Sequence, residues 1–258
     1  MVKMVSLFGR LGNKTNDIKF FKQYLPRDNK IIVEPFGGTF ALTRLEYNDN
    51  KYKKYVNDTD EKLTKIYNDP LKYYGLYLAL NDIAKTCLDD DNKHVKCKLF
   101  LEKADKYVHD NKIDKDLYEY WKECRISCGV CVKTLKNTNC DEFINIMKNV
   151  NFTNNDWEEE MNKYKNNKDA FIFLDPPYLF SNNKHYADQN KDGDNTDMLY
   201  KIYEIMNDKK TKSKIMLIIN DMKILRWLFK NYIKGDYGKI YQLGKRKDKH
   251  LIICNYDI

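Results

Sequence analysis

Short apolar runs alternate along the chain with longer amphipathic segments. Four of these runs are almost wholly apolar, and β-branched residues are frequent in them: 30–36, 54–58, 170–178 and 214–221. Strands covered by helices on both faces show this pattern, because neither face meets water. Two more apolar runs, at 238–243 and 249–256, close the chain and predict a pair of strands. The alternation predicts an α/β fold.

The segments between these runs have helical spacing. Residues 15–25 place Ile18, Phe21 and Leu25 on one stripe, while 59–69 and 196–206 each begin with a threonine and acidic residues typical of a helix start. The stretch from about 70 to 150 is helical in pattern, polar, and without a parallel-strand run. We therefore expect an α/β core formed by residues 1–70 and 150–258, interrupted by a helical insert at 71–149.

Composition narrows the class of protein. The 258 residues contain 46 Lys and Arg against 38 Asp and Glu, and the resulting charge of +8 is compatible with a polyanionic partner. A lysine-rich composition from an AT-rich genome explains the same excess. We find no signal peptide or membrane-spanning apolar stretch, and the 7 cysteines are irregularly spaced, so we expect an intracellular protein with reduced thiols. The cluster Cys124, Cys128, Cys131 and Cys140 contains a single CxxC pair, and no metal site is predicted.

The stretch EPFGGTF (34–40) has the features of a nucleoside-binding turn. A strand ends at Glu34, and Gly37 and Gly38 turn the chain towards a helix, where a ligand can approach the backbone. A second strand ends at Asp58, the position from which an acid can bind ribose hydroxyls. A plain structural turn would have the same glycines, so the pair alone does not decide between the two.

The absence of a phosphate-binding pattern narrows the ligand. A dinucleotide fingerprint needs three glycines, and its third place here is Phe40. The turn has no basic residue, and the chain has no GKS or GKT loop. A nucleoside without phosphates, such as S-adenosylmethionine, therefore fits better than a dinucleotide.

The stretch LDPPY (174–178) supplies groups suited to an amino group on a planar base. Asp175 and the carbonyl of Pro176 are acceptors, and neither Pro176 nor Pro177 has a backbone N–H. Tyr178 offers a ring on which a base can stack. These residues follow the third apolar run, so we expect them at the same sheet edge as the nucleoside turn.

In the order of its segments, the chain resembles the Dam-type (D12 class) DNA adenine-N6 methyltransferases. The matching segments are FGRLGNK (8–14), EPFGGTF, VNDTDEKLTKIYN (56–68), DPPY and IIND (218–221), followed by a basic loop and a strand. The resemblance covers nearly the whole chain. It implies a Rossmann-like class I methyltransferase sheet, mostly parallel with an antiparallel strand near the C-terminus, and S-adenosylmethionine as cofactor.

The resemblance also implies roles for individual residues. Asp175, Pro176, Pro177 and Tyr178 would form the catalytic tip that grips a flipped-out adenine. Tyr186 would close over the base, and 71–149 would read the target site. The residues implied at the cofactor are Phe8, Gly9, Gly12, Lys14, Glu34, Phe36, Gly37, Gly38, Asp58 and Asp175.

Duplex DNA is the expected partner, and basic residues are its candidate contacts. The densest basic cluster, at 243–250, contains Lys245, Arg246, Lys247 and Lys249, and the insert adds Arg125, Lys133 and Lys136.

Three alternatives stay open: methylation of an RNA adenine or another amino group, a degenerate methyltransferase fold that binds nucleic acid, and a nicotinamide enzyme, which the missing third glycine disfavours. The sequence also leaves open whether the protein forms a homodimer and whether a restriction nuclease accompanies it.

Overall fold

The computed structural model describes residues 14–88, 97–125, 141–179, 195–240 and 247–258. They form two compact units. The sheet unit comprises residues 14–60 and the described residues from 149 onwards, and the helical unit comprises the described residues of 61–148. The roles expected for the two parts of the chain, catalysis for the core and target recognition for the insert, stay predictions.

A seven-stranded sheet in the order β3-β2-β1-β4-β5-β7-β6 forms the sheet unit. Strands β1 to β5 pair in parallel, β7 pairs antiparallel with β5, and β6 pairs antiparallel with β7. The predicted mostly parallel α/β sheet is confirmed, as is the pairing of the last two strands. The strands are β1 Ile31–Glu34, β2 Lys53–Asn57, β3 Val150–Thr153, β4 Ala170–Leu174, β5 Lys214–Asn220, β6 Ile233–Ile240 and β7 Lys247–Cys254.

The central strands are apolar because both faces of the sheet are covered. Every residue of β4 is buried, as are the five inner residues of β5. One face of β5 contributes Met216 and Ile218 to a cluster that includes Phe21 and Ile252. The other face packs in a separate cluster. Successive side chains of a strand point to opposite faces of the sheet, so alternate residues of these strands pack in one core or in the other.

Two strands differ from the sequence expectation. Strand β3, an edge strand paired with β2, was not predicted, because three of its four residues are half-buried and Asn151 is exposed, which is too weak an alternation. Strand β6 begins at Ile233 rather than 238, and a bulge between Ile233 and Gly235 hides its start. Strand β7 begins at Lys247 rather than 249.

The helices in the described residues follow the expected order with altered bounds. The continuous helix expected over 15–25 is wrong: two 3-10 turns, Lys14–Asn16 and Lys22–Tyr24, flank a single α-helical turn. The buried stripe of Ile18, Phe21 and Leu25 is nevertheless present. The helices are α1 Ile18–Phe21, α2 Ala41–Glu46, α3 Glu61–Asn68, α4 Pro70–Lys85, α5 Cys97–Asp110, α6 Lys115–Arg125, α7 Asp141–Met147, α8 Trp157–Tyr164, α9 Thr196–Asn207 and α10 Lys223–Leu228.

Aromatic packing holds the helical unit together. The ring centroids of Phe100 and Trp121 lie 5.6 Å apart, and Tyr118 donates a hydrogen bond of 2.9 Å to Asp105. These contacts join α5 to α6 and bury apolar area in a unit whose described residues form helices and no strand. Among the described residues, no helix is both long enough and apolar enough to cross a membrane.

Candidate active site

Strands β1, β2, β4 and β5 run in parallel, so their carboxyl ends lie along one edge of the sheet. The strand order reverses between β1 and β4, because the chain passes from β1 to β2 on one side and to β4 and β5 on the other. Open α/β sheets bind ligands at such a reversal. The residues that follow β1 and β4 at this point are the two stretches singled out in the sequence.

The turn after β1 requires Gly37 and Gly38 for different reasons. A Cβ at Gly37 would overlap Val56 Cγ1 and lie 2.9 Å from the carbonyl oxygen of Asn57. The N–H of Gly37 donates to this same oxygen at 2.6 Å, so the two chain segments are in direct backbone contact. Gly38 has φ +48°, and the space beside it is open. Among the described residues, nothing lies within 4 Å of the position that a Cβ would occupy at Gly38, so a ligand can approach the backbone of the turn there.

Phe40 takes the left-handed conformation, with φ 39° and ψ 45°, directly before α2. This region is uncommon for a bulky residue, and the ring is fully buried, edge-on to Phe152 at a centroid distance of 5.4 Å. A glycine would adopt the bend without strain but would leave the space beside Phe152 empty. Packing against β3 thus offsets the cost of the bend.

Glu34 ends β1 and is almost fully buried. Its Oε1 accepts a hydrogen bond of 2.7 Å from the backbone N–H of Thr43, in the first turn of α2. Burial and, to a smaller extent, the nearby Asp175 raise the pKa of Glu34 to about 7, against the lowering effect of the bond to Thr43. Glu34 therefore connects β1 to α2 from inside the protein.

Asp58 lies at the end of β2 and contacts the turn directly. Its Oδ2 accepts a hydrogen bond of 2.8 Å from the N–H of Gly38, and its Oδ1 accepts one of 3.0 Å from Asp60. The structure thus brings the predicted ribose-binding acid onto the predicted nucleoside turn. Phe36 lies in the same turn, stacked on Trp157 at 5.7 Å.

Asn57, which the sequence reasoning did not select, ties three strand ends together. Its side-chain amide donates to the carbonyls of Pro35 and Asn155, at 3.2 and 2.9 Å. Its Oδ1 accepts from the Thr153 hydroxyl at 2.9 Å. The signal was present in the sequence as a buried polar residue beside Asp58, but the partners after β3 could not be foreseen.

Asp175 follows β4 and forms an ion pair with Lys14, whose Nζ lies 2.6 Å from Asp175 Oδ1. The Lys14 side chain is buried, and that of Asp175 is 18% exposed. Burial raises the pKa of Asp175, and the ammonium of Lys14 opposes this rise. Within the described part of the chain, Lys14 is the ion-pair partner of this carboxylate, through one of its two oxygens.

Burial and contacts with other segments fix the rest of the DPPY tip, residues 176–178. Pro176 and Pro177 are buried, and Tyr178 is half-buried. Asn195, the residue before α9, donates a hydrogen bond of 2.7 Å to the carbonyl of Tyr178. Lys14 Nζ lies 5.7 Å from the centroid of the Tyr178 ring. The tip is therefore fixed by groups from before α1 and before α9, neither of which strand patterning reveals.

These observations place an acidic nucleoside turn and a DPPY tip at one reversal point. The description of the family whose profile matches residues 11–246 is D12 class N6 adenine-specific DNA methyltransferase. The chain belongs to this family. It is also similar to a type II methyltransferase, M.CviBI, of Paramecium bursaria Chlorella virus NC1A, with 24% identity over 269 residues that cover 95% of this chain and 97% of the viral protein. The protein is thus an enzyme that methylates N6 of adenine in DNA.

The structure describes only some of the remaining residues that were predicted for the cofactor and DNA sites of this D12 class enzyme. Lys249 lies on β7, 53% exposed, with its Nζ 2.9 Å from Asp236 Oδ1. Arg125 ends α6 and Lys247 begins β7, and only their backbone is described. Several predicted residues lie outside the described ranges: Phe8, Gly9, Gly12, Lys133, Lys136, Tyr186, Lys245 and Arg246.

Proposed function

We propose that this enzyme uses S-adenosylmethionine as its methyl donor and acts on an adenine flipped out of duplex DNA. The donor fits the turn after β1, where Gly38 leaves open space and Asp58 is the nearest acid. Glycines and carboxylates suit an uncharged ribose and a cationic sulfonium, whereas a pyrophosphate would meet like charge. When bound, the donor supplies a methyl group on a sulfonium.

The residues of the tip would hold the target amino group. Asp175 Oδ2 and the carbonyl of Pro176 would each accept one of the two N–H bonds of adenine N6. No hydrogen bond to the Pro176 carbonyl is present within the described residues. Because nitrogen becomes positive as it gains a methyl group, a carboxylate beside it lowers the barrier. Stacking on the Tyr178 ring offsets part of the cost of unstacking the base.

Three further assignments follow from the resemblance and the relative. We assign target reading to the helical insert at 71–149, and DNA backbone contacts to Lys249 and its basic neighbours. Lys249 would have to exchange its bond with Asp236 for one with a phosphate. By analogy with the type II methyltransferase M.CviBI, we assign the enzyme to a restriction-modification system.

The observation that carries the proposal is the position of Asp175 beside the donor turn. The test is transfer of tritium from S-[methyl-³H]adenosylmethionine to unmethylated duplex DNA, single-stranded DNA and RNA. We expect Asp175→Ala to reduce the rate on duplex DNA by at least about 10²-fold, with donor affinity measured by calorimetry largely kept.

Asp169→Ala is the matched control, because Asp169 lies at the opposite, amino end of β4 and pairs with exposed Lys30. It should retain activity. Full activity in Asp175→Ala would refute the role of Asp175. A preference for RNA would refute the duplex substrate, and a failure of the wild-type protein to bind S-adenosylmethionine would refute the donor.

A further inference from the structure

His250 lies on β7 at the same edge of the sheet as the DPPY tip. It pairs with Asn220 at the end of β5 and with Tyr237 on β6. Alternation along β7 puts its side chain on the same face as Ile252 and Cys254, and the side chain is fully buried. The sequence analysis places His250 at the end of the basic cluster 243–250 and at the start of the predicted strand 249–256, and it does not select this residue for the site.

Two tyrosines enclose the imidazole of His250. The Tyr178 ring stands perpendicular to it, at a centroid distance of 5.3 Å and an angle of 89°. The Tyr237 ring lies on another side, at 5.2 Å and 42°. Tyr237 in turn stacks on Phe20 at 5.0 Å. A continuous aromatic row therefore runs from the catalytic tip to α1, with His250 as the member that touches Tyr178.

The hydroxyl groups of the two tyrosines also lie near the ring nitrogens of His250. The Tyr178 hydroxyl lies 3.4 Å from both ring nitrogens of His250, and the Tyr237 hydroxyl lies 3.4 Å from Nδ1. These distances are long for hydrogen bonds, and such contacts at active sites shorten when a substrate is bound. A neutral imidazole offers one donor and one acceptor, so it can serve both hydroxyls at once.

The charges around His250 favour that neutral form. Burial is the main cause that lowers the pKa of His250 to about 3, and the ammonium groups of Lys14 and Lys239 contribute to this lowering. Lys14 faces the site in its pair with Asp175, and Lys239 of β6 pairs with buried Asp17 at 2.6 Å. A charged imidazole would be a third cation among these groups.

We propose that His250 is a positioning residue for adenine methylation, which holds the Tyr178 ring at the angle on which the target base stacks. His250 itself touches no substrate in this scheme. The inference rests on the proposed role of Tyr178 as the stacking surface. It explains why a buried, polar histidine lies where the sheet core would otherwise continue with an apolar residue.

The test is a double-mutant cycle with Tyr178→Phe and His250→Phe. Phenylalanine keeps the ring at 250 and removes its nitrogens. We expect His250→Phe to lower kcat/KM for unmethylated plasmid DNA about tenfold while the Kd for S-adenosylmethionine changes less than about twofold. The double variant should be no worse than the more impaired single variant, because both remove the same contact.

Additive losses, or unchanged kcat/KM in His250→Phe, would overturn the proposal. Tyr232→Phe is the matched control: its hydroxyl bonds Asn207 at 2.9 Å, away from the sheet edge, and activity should be kept. A separate variant, Tyr178→Ala, tests the underlying role. If Tyr178→Ala is fully active, the stacking assignment fails; if it is inactive while His250→Phe is normal, only the present inference fails.

If His250→Phe does not fold, a measurement that starts from the wild-type protein still tests the proposal. The ¹⁵N resonances of the His250 ring should stay those of a neutral imidazole from about pH 5 to 8. They should shift in Tyr178→Phe and stay in place in Tyr232→Phe. Unchanged resonances in Tyr178→Phe would show that the hydroxyl does not act on the imidazole, and would also overturn the proposal.

Discussion

Lys14 Nζ lies 2.6 Å from Asp175 Oδ1, and this pair joins the segment before α1 to the tip of β4. The two residues are far apart in sequence, and the fold brings them together. Burial alone would favour a protonated Asp175, which could not stabilise positive charge on the target nitrogen. The buried ammonium counters this effect, so we expect Lys14 to act together with Asp175 in methyl transfer.

We predict that Lys14→Gln moves the acidic limb of the pH profile of kcat to higher pH. Without the ammonium, the pKa of Asp175 rises further above its ordinary value, and a larger fraction of the enzyme is protonated at neutral pH. Part of the lost activity should return as the pH is raised. Single-turnover rates across the pH range measure this shift.

Lys30→Gln is the control for Lys14→Gln, because Lys30 forms the exposed ion pair with Asp169 at the other end of β4. Its pH profile should match that of the wild-type enzyme. A Lys14→Gln profile that is lower at every pH by one constant factor would contradict the electrostatic role of Lys14.

Asp58→Ala should weaken donor binding more than it slows methyl transfer at saturating donor. The change removes the carboxylate that orients Gly38 and the acceptor proposed for the ribose hydroxyls. Loss of a charged hydrogen-bond acceptor corresponds to about 10- to 100-fold in Kd. Calorimetry measures this, with Asp49→Ala as control, since exposed Asp49 precedes the amino end of β2. An unchanged Kd in Asp58→Ala would remove Asp58 from the donor site.

Gly37→Ala should abolish donor binding through backbone displacement. The added methyl group would overlap Val56 and approach the Asn57 carbonyl, so the turn must move away from β2. Gly238→Ala adds the same atom on β6 where nothing lies within 4 Å, and it should be silent. Equal donor affinity in the two variants would show that the turn tolerates a side chain at 37 and that close backbone contact is dispensable.

Glu34 should make stability fall as the pH rises. Its pKa is raised in the folded protein to about 7 from 4.5, so the folded state keeps a proton that the unfolded state has released. Relative to Glu34→Gln, the wild-type protein should lose on the order of 3 kcal/mol of unfolding free energy between about pH 4.5 and 7, and no more above it. Denaturant titrations at several pH values measure the difference. Parallel curves for the two proteins would refute this.

The strand tips of the site were predictable because buried parallel strands are apolar and end abruptly in polar residues. Glu34, Asp58 and Asp175 all lie where such runs stop, and the structure places all three at one edge. Strand β3 was not predicted, because an edge strand is partly exposed and needs no continuous apolar run. The break in the helix expected over 15–25 was not predicted because its apolar stripe is buried all the same, and buried Asp17, just before the stripe, pairs with Lys239, which is distant in sequence.

Residues that act through long-range contacts were the ones missed. His250 sits in a run of basic residues, and its burial depends on Tyr237 and Tyr178, which come from β6 and from the tip of β4. Asn57 and Asn195 bond backbone atoms of segments that pattern analysis does not bring together. Local periodicity identifies where a chain turns, whereas the partners of a buried polar group are set by tertiary packing.

The contact between Phe40 and Phe152 has a consequence for how the chain is made. During synthesis the ribosome releases Phe40 first, and the whole helical unit is translated before Phe152 of β3 emerges. Until then, the left-handed bend at Phe40 lacks the aromatic neighbour that offsets its cost. The donor turn therefore matures late in translation, and a nascent chain that stops before β3 carries every residue of the turn without its native shape.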